Sequence, residues 1–254
     1  MKINIAGKIA LVTGASRGIG RTVAEKLALE GVHVGLVGRN KKALLEVVEG
    51  IRLTGGKAEY FIYDISDTSN VEKLVGDCIA RNLIPDILVN NLGGVNKSKN
   101  WDSYESVEQA FRLNFLAAYE LVRQLLPYLE KMESGRIVNI GSISTKNGLN
   151  GFPYVVSKAA LEAFTLFGAR DIAKRSPNVV MTMVSPGPTA VTGKYLANLE
   201  DANPRALKDW LAQNNVSAGR LGKVEEIADL VLFLVSDMAS YMHGSIVSID
   251  GASY

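Results

Sequence analysis

Residues 9–20 read IALVTGASRGIG, and they indicate a strand, a glycine-rich turn and the start of a helix. The first four residues are apolar, as in a strand that is buried inside a parallel sheet. Glycines at positions 14, 18 and 20 then allow a tight turn and a close approach of the backbone to a ligand. Because a helical pattern follows at 21–30, the turn points unpaired N–H groups of a helix N-terminus at an anion. The stretch predicts a phosphate-binding turn, with a plain structural connection as the alternative.

The rest of the chain repeats this alternation of short apolar runs and longer helical patterns. We predict strands at residues 9–12, 32–37, 58–63, 87–89, 136–140, 179–184 and 245–249. We predict helices at residues 21–30, 41–53, 70–82, 105–132, 154–175 and 224–236. Such alternation indicates an α/β fold in which a doubly wound parallel sheet has helices on both faces. No linker or repeat interrupts it, so we predict one domain over 1–254, with a substrate loop at about 189–219 that contains short helices.

The composition excludes several classes of function. A single cysteine, Cys78, cannot form an internal disulfide, and with two histidines in the chain a Cys/His zinc cage is not expected. A net charge of +2 is too balanced for a nucleic-acid-binding surface. No apolar run approaches the roughly 18 residues that a membrane helix needs, and no signal peptide is evident. We therefore expect a cytoplasmic protein without metal, membrane or nucleic-acid partners.

Tyr154 and Lys158 are four residues apart in a predicted helix, so their side chains share one face. A carbonyl that accepts a hydride becomes an alkoxide and needs a proton, but an ordinary phenol with a pKa of about 10 is poorly matched to neutral pH. A cation at about 4 Å contributes roughly 4 kcal/mol at an effective dielectric constant of 20, or about three pKa units before desolvation is subtracted. The pair therefore predicts an acid/base group tuned by its neighbour.

Two further polar residues fit the same chemistry. Ser142 follows a predicted strand and lies 12 residues before Tyr154. Because strand ends open on the ligand crevice, we favour Ser142 over Ser144, which we interpret as a loop hydroxyl that bonds the backbone. Asn114 lies among apolar positions of the predicted helix 105–132, where a buried amide needs partners. It is either a site residue or a satisfied core amide.

The T-G-x-x-x-G-x-G turn, the Y-x-x-x-K pair and the preceding serine together resemble the short-chain dehydrogenase/reductase family, including its 3-oxoacyl-[acyl-carrier-protein] reductase-like members. The resemblance spans nearly the whole chain and implies a Rossmann-type fold that binds a nicotinamide dinucleotide. It implies that Tyr154 is the acid/base and that Lys158 also holds the nicotinamide ribose. Ser142 would bond the substrate oxygen, and Asn114 would hold a water molecule in a proton relay.

The predicted cofactor is NADP(H) rather than NAD(H). NAD-binding folds place a carboxylate at the end of the second strand, on the ribose 2′-hydroxyl. Here that strand is followed by Arg39, whose guanidinium suits a 2′-phosphate, and Arg17 supplies a second cation. The alternative is that Arg39 is only a solvated surface residue. The turn itself contributes the predicted cofactor contacts Gly14, Ser16, Arg17, Gly18, Ile19 and Gly20.

The family resemblance implies further cofactor contacts after the later strands. These are Asp64, Ile65, Asn91, Gly93, Pro186, Gly187 and Thr189, in addition to Tyr154 and Lys158. Thr192 is an alternative to Thr189 at the carboxamide. Leu92 departs from the family pattern, in which an alanine stands between Asn91 and Gly93.

We therefore predict an NADPH-dependent enzyme that reduces a ketone or aldehyde reversibly. One alternative is an NAD-dependent alcohol or sugar dehydrogenase of the same family. Another is a dinucleotide-sensing binding protein without turnover, against which the four intact catalytic candidates count. We expect substrate specificity in 144–152 and 189–219. The basic turn at 97–99 is either a solvated loop or a segment whose positive charge attracts an anionic substrate.

The segment 159–169, which belongs to the predicted helix 154–175, is apolar on nearly all sides. A helix without a polar face requires burial on two sides. One side would pack on the sheet, and the other would pack on a second subunit. We therefore predict a homo-oligomer, either a dimer or a homotetramer.

Overall fold

The computed structural model describes residues 3–95, 103–193 and 195–253. Its strands are β1 Ile9–Thr13, β2 His33–Gly38, β3 Lys57–Ile62, β4 Ile87–Asn90, β5 Gly135–Ile140, β6 Val179–Pro186, β7 Thr189–Ala190, β8 Gly222–Lys223 and β9 Ile246–Ile249. In this part of the chain, seven parallel strands form one sheet in the order β3-β2-β1-β4-β5-β6-β9. The short strands β7 and β8 pair separately.

Helices connect the strands and cover both faces of the sheet. They are α1 Gly18–Leu29, α2 Lys41–Leu53, α3 Ser69–Ala80, α4 Tyr104–Phe111, α5 Ala117–Leu129, α6 Ser144–Asn147, α7 Phe152–Arg175, α8 Tyr195–Ala202, α9 Pro204–Gln213 and α10 Val224–Val235. One large apolar cluster joins the sheet to α1, α2 and α10, and a second joins it to α3, α5 and α7. The prediction of a doubly wound parallel sheet with helices on both faces is therefore confirmed.

The order of the strands determines where a ligand can bind. From β1 the chain passes to β2 on one side, and β4 then pairs with β1 on the other side. At such a reversal the two neighbouring crossovers diverge and leave a crevice outside the carboxyl ends of the strands. The glycine-rich turn after β1 lies at this point.

The predicted helix 105–132 is interrupted in the structure. A π-helical turn at Arg112–Leu116 separates α4 from α5. The wider turn places Asn114 in the interior, where only 1% of its surface is exposed. Such turns break helical periodicity at one point and occur frequently at functional sites. A pattern-based prediction cannot detect this break, because the apolar residues continue through it.

Smaller differences concern the ends of the helices. The helix α1 begins three residues earlier than predicted, and α7 begins two residues earlier with a proline in its first turn. The segment 189–219, predicted as a loop with short helices, contains α8 and α9. No helix within the described residues is long and apolar enough to cross a bilayer. In the same residues, His, Cys, Asp and Glu side chains form no group of three that could hold a metal ion.

Candidate active site

A cleft of about 1010 Å³ lies along the carboxyl edge of the sheet. Arg39 and Asp64 follow β2 and β3 and line one end of it. Ser142, after β5, and Tyr154, in the first turn of α7, line the other end. Since the strands run in the order β3-β2-β1-β4-β5, the glycine-rich turn after β1 lies between these two ends. The topology thus places an anion-binding turn and an acid/base candidate in one cleft.

The glycine-rich turn is held in place by Asn91. The Asn91 Nδ2 donates hydrogen bonds to the carbonyl oxygens of Thr13 (2.9 Å) and Gly14 (3.2 Å). Gly14 has φ of +64°, a conformation that side chains rarely adopt. A Cβ on Gly20 would lie 2.4 Å from Asn91 Nδ2, so only glycine fits there. Gly20, predicted as a cofactor contact, is buried behind the turn and makes this close packing possible.

The first turn of α1 is suited to an anion. Arg17 precedes the helix and forms no side-chain hydrogen bond to its N-terminus, and no acidic residue lies in the first turn. The backbone N–H groups of this turn therefore have no side-chain cap, and Gly18 and Ile19 line the cleft. Such a turn attracts a phosphate by its hydrogen-bond donors and its helix dipole. A pyrophosphate fits this part of the structure.

Arg39 and Asp64, both predicted to contact the cofactor, also contact each other. Arg39 Nη1 lies 3.2 Å from Asp64 Oδ2, and the arginine side chain is 71% exposed. The other carboxylate oxygen, Oδ1, accepts hydrogen bonds from the Ser66 backbone N–H and hydroxyl. Burial opposes ionisation of Asp64, but the bonds from Ser66 and Arg39 outweigh it and lower the pKa of this carboxyl. The guanidinium has five donors in all, so it retains donors for a phosphate.

Lys158 lies beneath Tyr154 in the wall of the cleft. Its ammonium donates a hydrogen bond to the Ile140 carbonyl oxygen at 2.7 Å and lies 6.0 Å from the centre of the tyrosine ring. Only 3% of the lysine surface is exposed. Burial lowers the pKa of Lys158 to about 8. The register i, i+4 therefore brings the two side chains together, as the sequence predicts.

The pKa of Tyr154 differs from the sequence-based expectation. Burial raises the pKa of this phenol, and a hydrogen bond with Ser142 acts in the opposite direction without reversing the shift. The expected lowering by Lys158 does not dominate, because the ammonium is directed at the Ile140 carbonyl and desolvation favours the neutral phenol. Tyr154 is consequently protonated at neutral pH, which is the form a proton donor requires.

Asn114 contacts the loop after β4 with both ends of its amide. Its Oδ1 accepts a hydrogen bond from the Gly94 N–H (2.9 Å), and its Nδ2 donates one to the Gly94 carbonyl oxygen (3.1 Å). A Cβ on Gly93 would lie 2.9 Å from Asn114 Oδ1 and 3.1 Å from Lys158 Nζ. The absence of a side chain at Gly93 therefore allows the backbone of this loop to pack directly against these two polar groups, and Gly93 lines the cleft. Asn114 itself lies behind the cleft wall and acts on it through Gly94.

Ser142 and Ser144 form a hydrogen-bonded pair, with their Oγ atoms 3.0 Å apart. Ser142 Oγ also accepts from the Ser144 backbone N–H at 3.1 Å. The Asn150 Nδ2 donates to Ser144 Oγ at 3.0 Å. The interpretation of Ser144 as a hydroxyl that bonds the backbone is wrong, because its partners are the side chains of Ser142 and Asn150.

The structure also places the remaining predicted residues. The cleft is lined by the predicted contacts Ser16, Ile65, Asn91, Pro186, Gly187 and Thr189. Thr189 donates its hydroxyl to the Gly187 carbonyl oxygen, whereas Thr192 is exposed and lies outside the cleft lining. Leu92 lines the cleft and packs against the apolar cluster beneath it. The basic turn at 97–99 lies outside the described residues.

Sequence reasoning missed several lining residues. They are Val95, Leu113, Leu149, Asn150, Tyr195, Leu196, Trp210 and Asn214. Those from 189–219 and 144–152 fall in the two segments predicted to set specificity. No motif marks them individually, since an asparagine in a turn and a tryptophan on a short helix are also common at positions that contact no ligand.

Comparison with known proteins agrees with this geometry. A family model described as short chain dehydrogenase matches residues 8–201. A fatty acyl-CoA reductase of Acinetobacter baylyi is 37% identical over 180 residues, which cover 69% of the chain and 61% of that protein. A 3-oxoacyl-[acyl-carrier-protein] reductase of Aquifex aeolicus is 33% identical over the full length of both chains. The structure of L-sorbose reductase from Gluconobacter frateurii, complexed with NADPH and L-sorbose, superposes with a TM-score of 0.90 at 29% identity and covers 100% of the chain and 98% of its own.

Proposed function

Because the chain belongs to the short chain dehydrogenase family, we propose that it uses NADPH to reduce a ketone or an aldehyde to an alcohol, reversibly. One observation carries the proposal: Tyr154, Lys158 and Ser142 meet at one end of a cleft whose opposite end carries the exposed Arg39. The similar L-sorbose reductase was solved with NADPH, which supports the same cofactor here. The bound cofactor supplies the hydride.

Each residue of the cluster has a role that follows from its surroundings. Tyr154 carries the proton that the alkoxide needs, since burial keeps its phenol neutral. Ser142 donates a hydrogen bond to the carbonyl oxygen and stabilises the charge that develops on it. Lys158 supplies positive charge behind the tyrosine and lies beside Gly93, where it is positioned to bind the nicotinamide ribose. Asn114 holds the loop at Gly94 in place; a water-mediated relay through it remains a prediction.

The other end of the cleft would hold the adenosine half of the cofactor. Arg39, supported by Arg17, would pair with the 2′-phosphate, and the turn at Gly14–Gly20 would hold the pyrophosphate. Asp64 and Ile65 would contact the adenine. We propose that Thr189 rather than Thr192 contacts the carboxamide, since Thr189 lines the cleft. We further propose that the enzyme works in the cytoplasm, where NADPH is regenerated.

A panel of ketones and aldehydes tests the proposed activity. We expect NADPH absorbance to fall with at least one compound, and NADH to be a poorer donor for the same compound. Fluorescence titration provides the binding constants of both cofactors independently of turnover. Tighter binding of NADH would favour the oxidative NAD-dependent alternative. Tight NADPH binding without consumption across the panel would favour a binding protein.

We also propose that the protein forms a dimer or tetramer through α5 and α7. Aromatic residues of the interrupted helix and α7 pack edge to face, with Tyr119 and Phe164 ring centres 5.5 Å apart. Phe167, which follows Phe164 by three residues in α7, is 59% exposed, and Tyr119 is itself 41% exposed. Exposed aromatic groups on neighbouring helices form a surface suited to a second copy of the same helices.

The oligomer prediction is tested by light scattering at micromolar protein concentration. We expect a mass of two or four subunits for the natural protein, and a smaller species for Phe167→Glu, which places a charge on the proposed face. Tyr241→Glu is the matched control, because Tyr241 is 97% exposed and lies near the end of the chain, outside α5 and α7. A monomeric natural protein would contradict the prediction.

A further inference from the structure

We propose that Asn147 is a positioning residue that connects the two specificity segments, residues 144–152 and 189–219, through the chain that follows β9. The inference rests on the proposed function and deepens it. It assigns the order of the substrate end of the cleft to residues 250–253, which lie outside the cleft lining. These residues, here called the linking segment, form hydrogen bonds with both specificity segments.

The two ends of the Asn147 amide bond different parts of the chain. Its Oδ1 accepts a hydrogen bond from the Leu149 backbone N–H at 3.2 Å, and its Nδ2 donates one to the Ser253 carbonyl oxygen at 2.6 Å. The orientation of the amide is fixed, because a backbone N–H can only donate and a carbonyl oxygen can only accept. Leu149 and Asn150 line the cleft. Asn147 therefore holds the turn that carries these two residues and the linking segment at the same time.

The linking segment is also bound to the end of the second specificity segment. The backbone N–H groups of Ser217 and Ala218 donate hydrogen bonds to the carbonyl oxygens of Ala252 (3.4 Å) and Gly251 (3.0 Å), respectively. A Cβ on Gly251 would lie 3.0 Å from the Ala218 Cβ, so the two backbones are in close contact. Ser217 and Ala218 follow α9, whose Trp210 lines the cleft. The linking segment thus joins both walls of the substrate end.

The linking segment has the internal order that such a connection requires. Ser253 is fully buried, and its backbone N–H donates a hydrogen bond to Asp250 Oδ2 at 3.1 Å. Gly251 and Ala252 have φ values of +63° and +54°. Alanine rarely adopts such a conformation, so the contacts around this turn have to maintain it. The Asp250 carboxylate and the Asn147 amide hold the turn together, since both bond the backbone of Ser253.

Loss of this connection should weaken substrate binding without slowing the chemical step. A wall that is ordered in only a fraction of the molecules lowers the apparent affinity for the substrate by that fraction. Tyr154 and Lys158 belong to α7 and keep their positions. A variant that loses only binding energy of this kind has a higher KM at a nearly constant kcat.

Asn147→Asp breaks the connection selectively. A carboxylate still accepts from the Leu149 N–H, but it cannot donate to the Ser253 carbonyl oxygen and repels it. We expect KM for the carbonyl substrate to rise about tenfold, with kcat changed less than about twofold and the affinity for NADPH unchanged. Asn82→Asp is the matched control, because Asn82 is exposed and follows α3 outside the cleft lining. It should leave all three constants unchanged.

Asp250→Ala breaks the same connection from its other side, because alanine removes the acceptor of the Ser253 N–H. KM should again rise about tenfold at constant kcat, and Asp250→Asn, which retains an acceptor oxygen, should restore most of the affinity. Since both substitutions release one turn, the double variant Asn147→Asp, Asp250→Ala should raise KM no further than the larger single effect. Multiplied effects would overturn the proposal, as would an unchanged KM in either single variant.

Amide hydrogen exchange, measured by mass spectrometry, tests the connection without turnover. The Ser217 and Ala218 N–H groups bond the linking segment on the side opposite to Asn147. We expect exchange at residues 216–220 to become at least about fivefold faster in Asn147→Asp, and exchange at residues 9–13 of β1 to stay the same. Unchanged exchange at 216–220 would reject the inference. Absence of carbonyl reduction by the natural protein would reject the proposed function, and the exchange rates would still decide on the connection.

Discussion

Replacement of Tyr154 by phenylalanine should lower kcat for carbonyl reduction by about a thousandfold, within the range that a positioned proton donor contributes. The phenol is the group that hydrogen-bonds Ser142, and its ring lies over the Lys158 ammonium at 6.0 Å. Phenylalanine keeps the ring and removes only the hydroxyl, so the surrounding wall retains its packing. Stopped-flow or steady-state measurement of NADPH consumption provides kcat, and fluorescence provides the affinity for NADPH, which should be nearly unchanged.

The matched control for this variant is Tyr128→Phe. Tyr128 belongs to α5, lies outside the cleft lining, and undergoes the same chemical change. We expect its kcat to equal that of the natural protein. Full activity of Tyr154→Phe would require another proton donor and would contradict the role proposed for the whole cluster. Loss of NADPH affinity in Tyr154→Phe would instead indicate that the phenol mainly supports cofactor binding.

Replacement of Arg39 by aspartate should invert the preference for the cofactor. We expect kcat/KM with NADPH to fall about a hundredfold, since a charge-assisted hydrogen bond is lost and a carboxylate then repels the 2′-phosphate. The value with NADH should rise or stay constant, because a carboxylate can accept from the ribose hydroxyl. Arg39 is 71% exposed and its ion pair with Asp64 is a surface pair, so the loss of stability should be small.

Two further variants separate the contributions to the Arg39 effect. Arg39→Met removes the guanidinium without adding a negative charge, and it should show the loss of attraction alone. Arg52→Asp makes the same change in net charge at the opposite end of α2, where Arg52 pairs with Glu59. We expect it to leave the cofactor preference unchanged. An Arg39→Asp enzyme that still prefers NADPH would place the 2′-phosphate contact on other residues.

The parts of the fold that follow from repeated local patterns were predictable from the sequence. The strand–turn–helix at the start of the chain, the later alternation and the register of Tyr154 and Lys158 depend only on residue spacing, which local geometry translates directly. The helix α2 was predicted with its observed ends, because its apolar positions recur without interruption. The π-helical turn at Arg112–Leu116 escaped prediction, since it interrupts a periodicity that the residues on both sides continue.

The cleft shows the same division between local and nonlocal information. The parallel α/β architecture could be predicted from the regular alternation of strand and helix patterns along the chain. The glycine-rich turn and the pairing of Tyr154 with Lys158 could be predicted because each lies within a few consecutive residues. The structure was needed to show that Arg39 and Asp64 pair with each other and that burial raises the pKa of Tyr154. It also decided that Asn150 reaches Ser142 through Ser144. These features depend on burial and on contacts between segments that the sheet brings together, and no local pattern encodes such contacts.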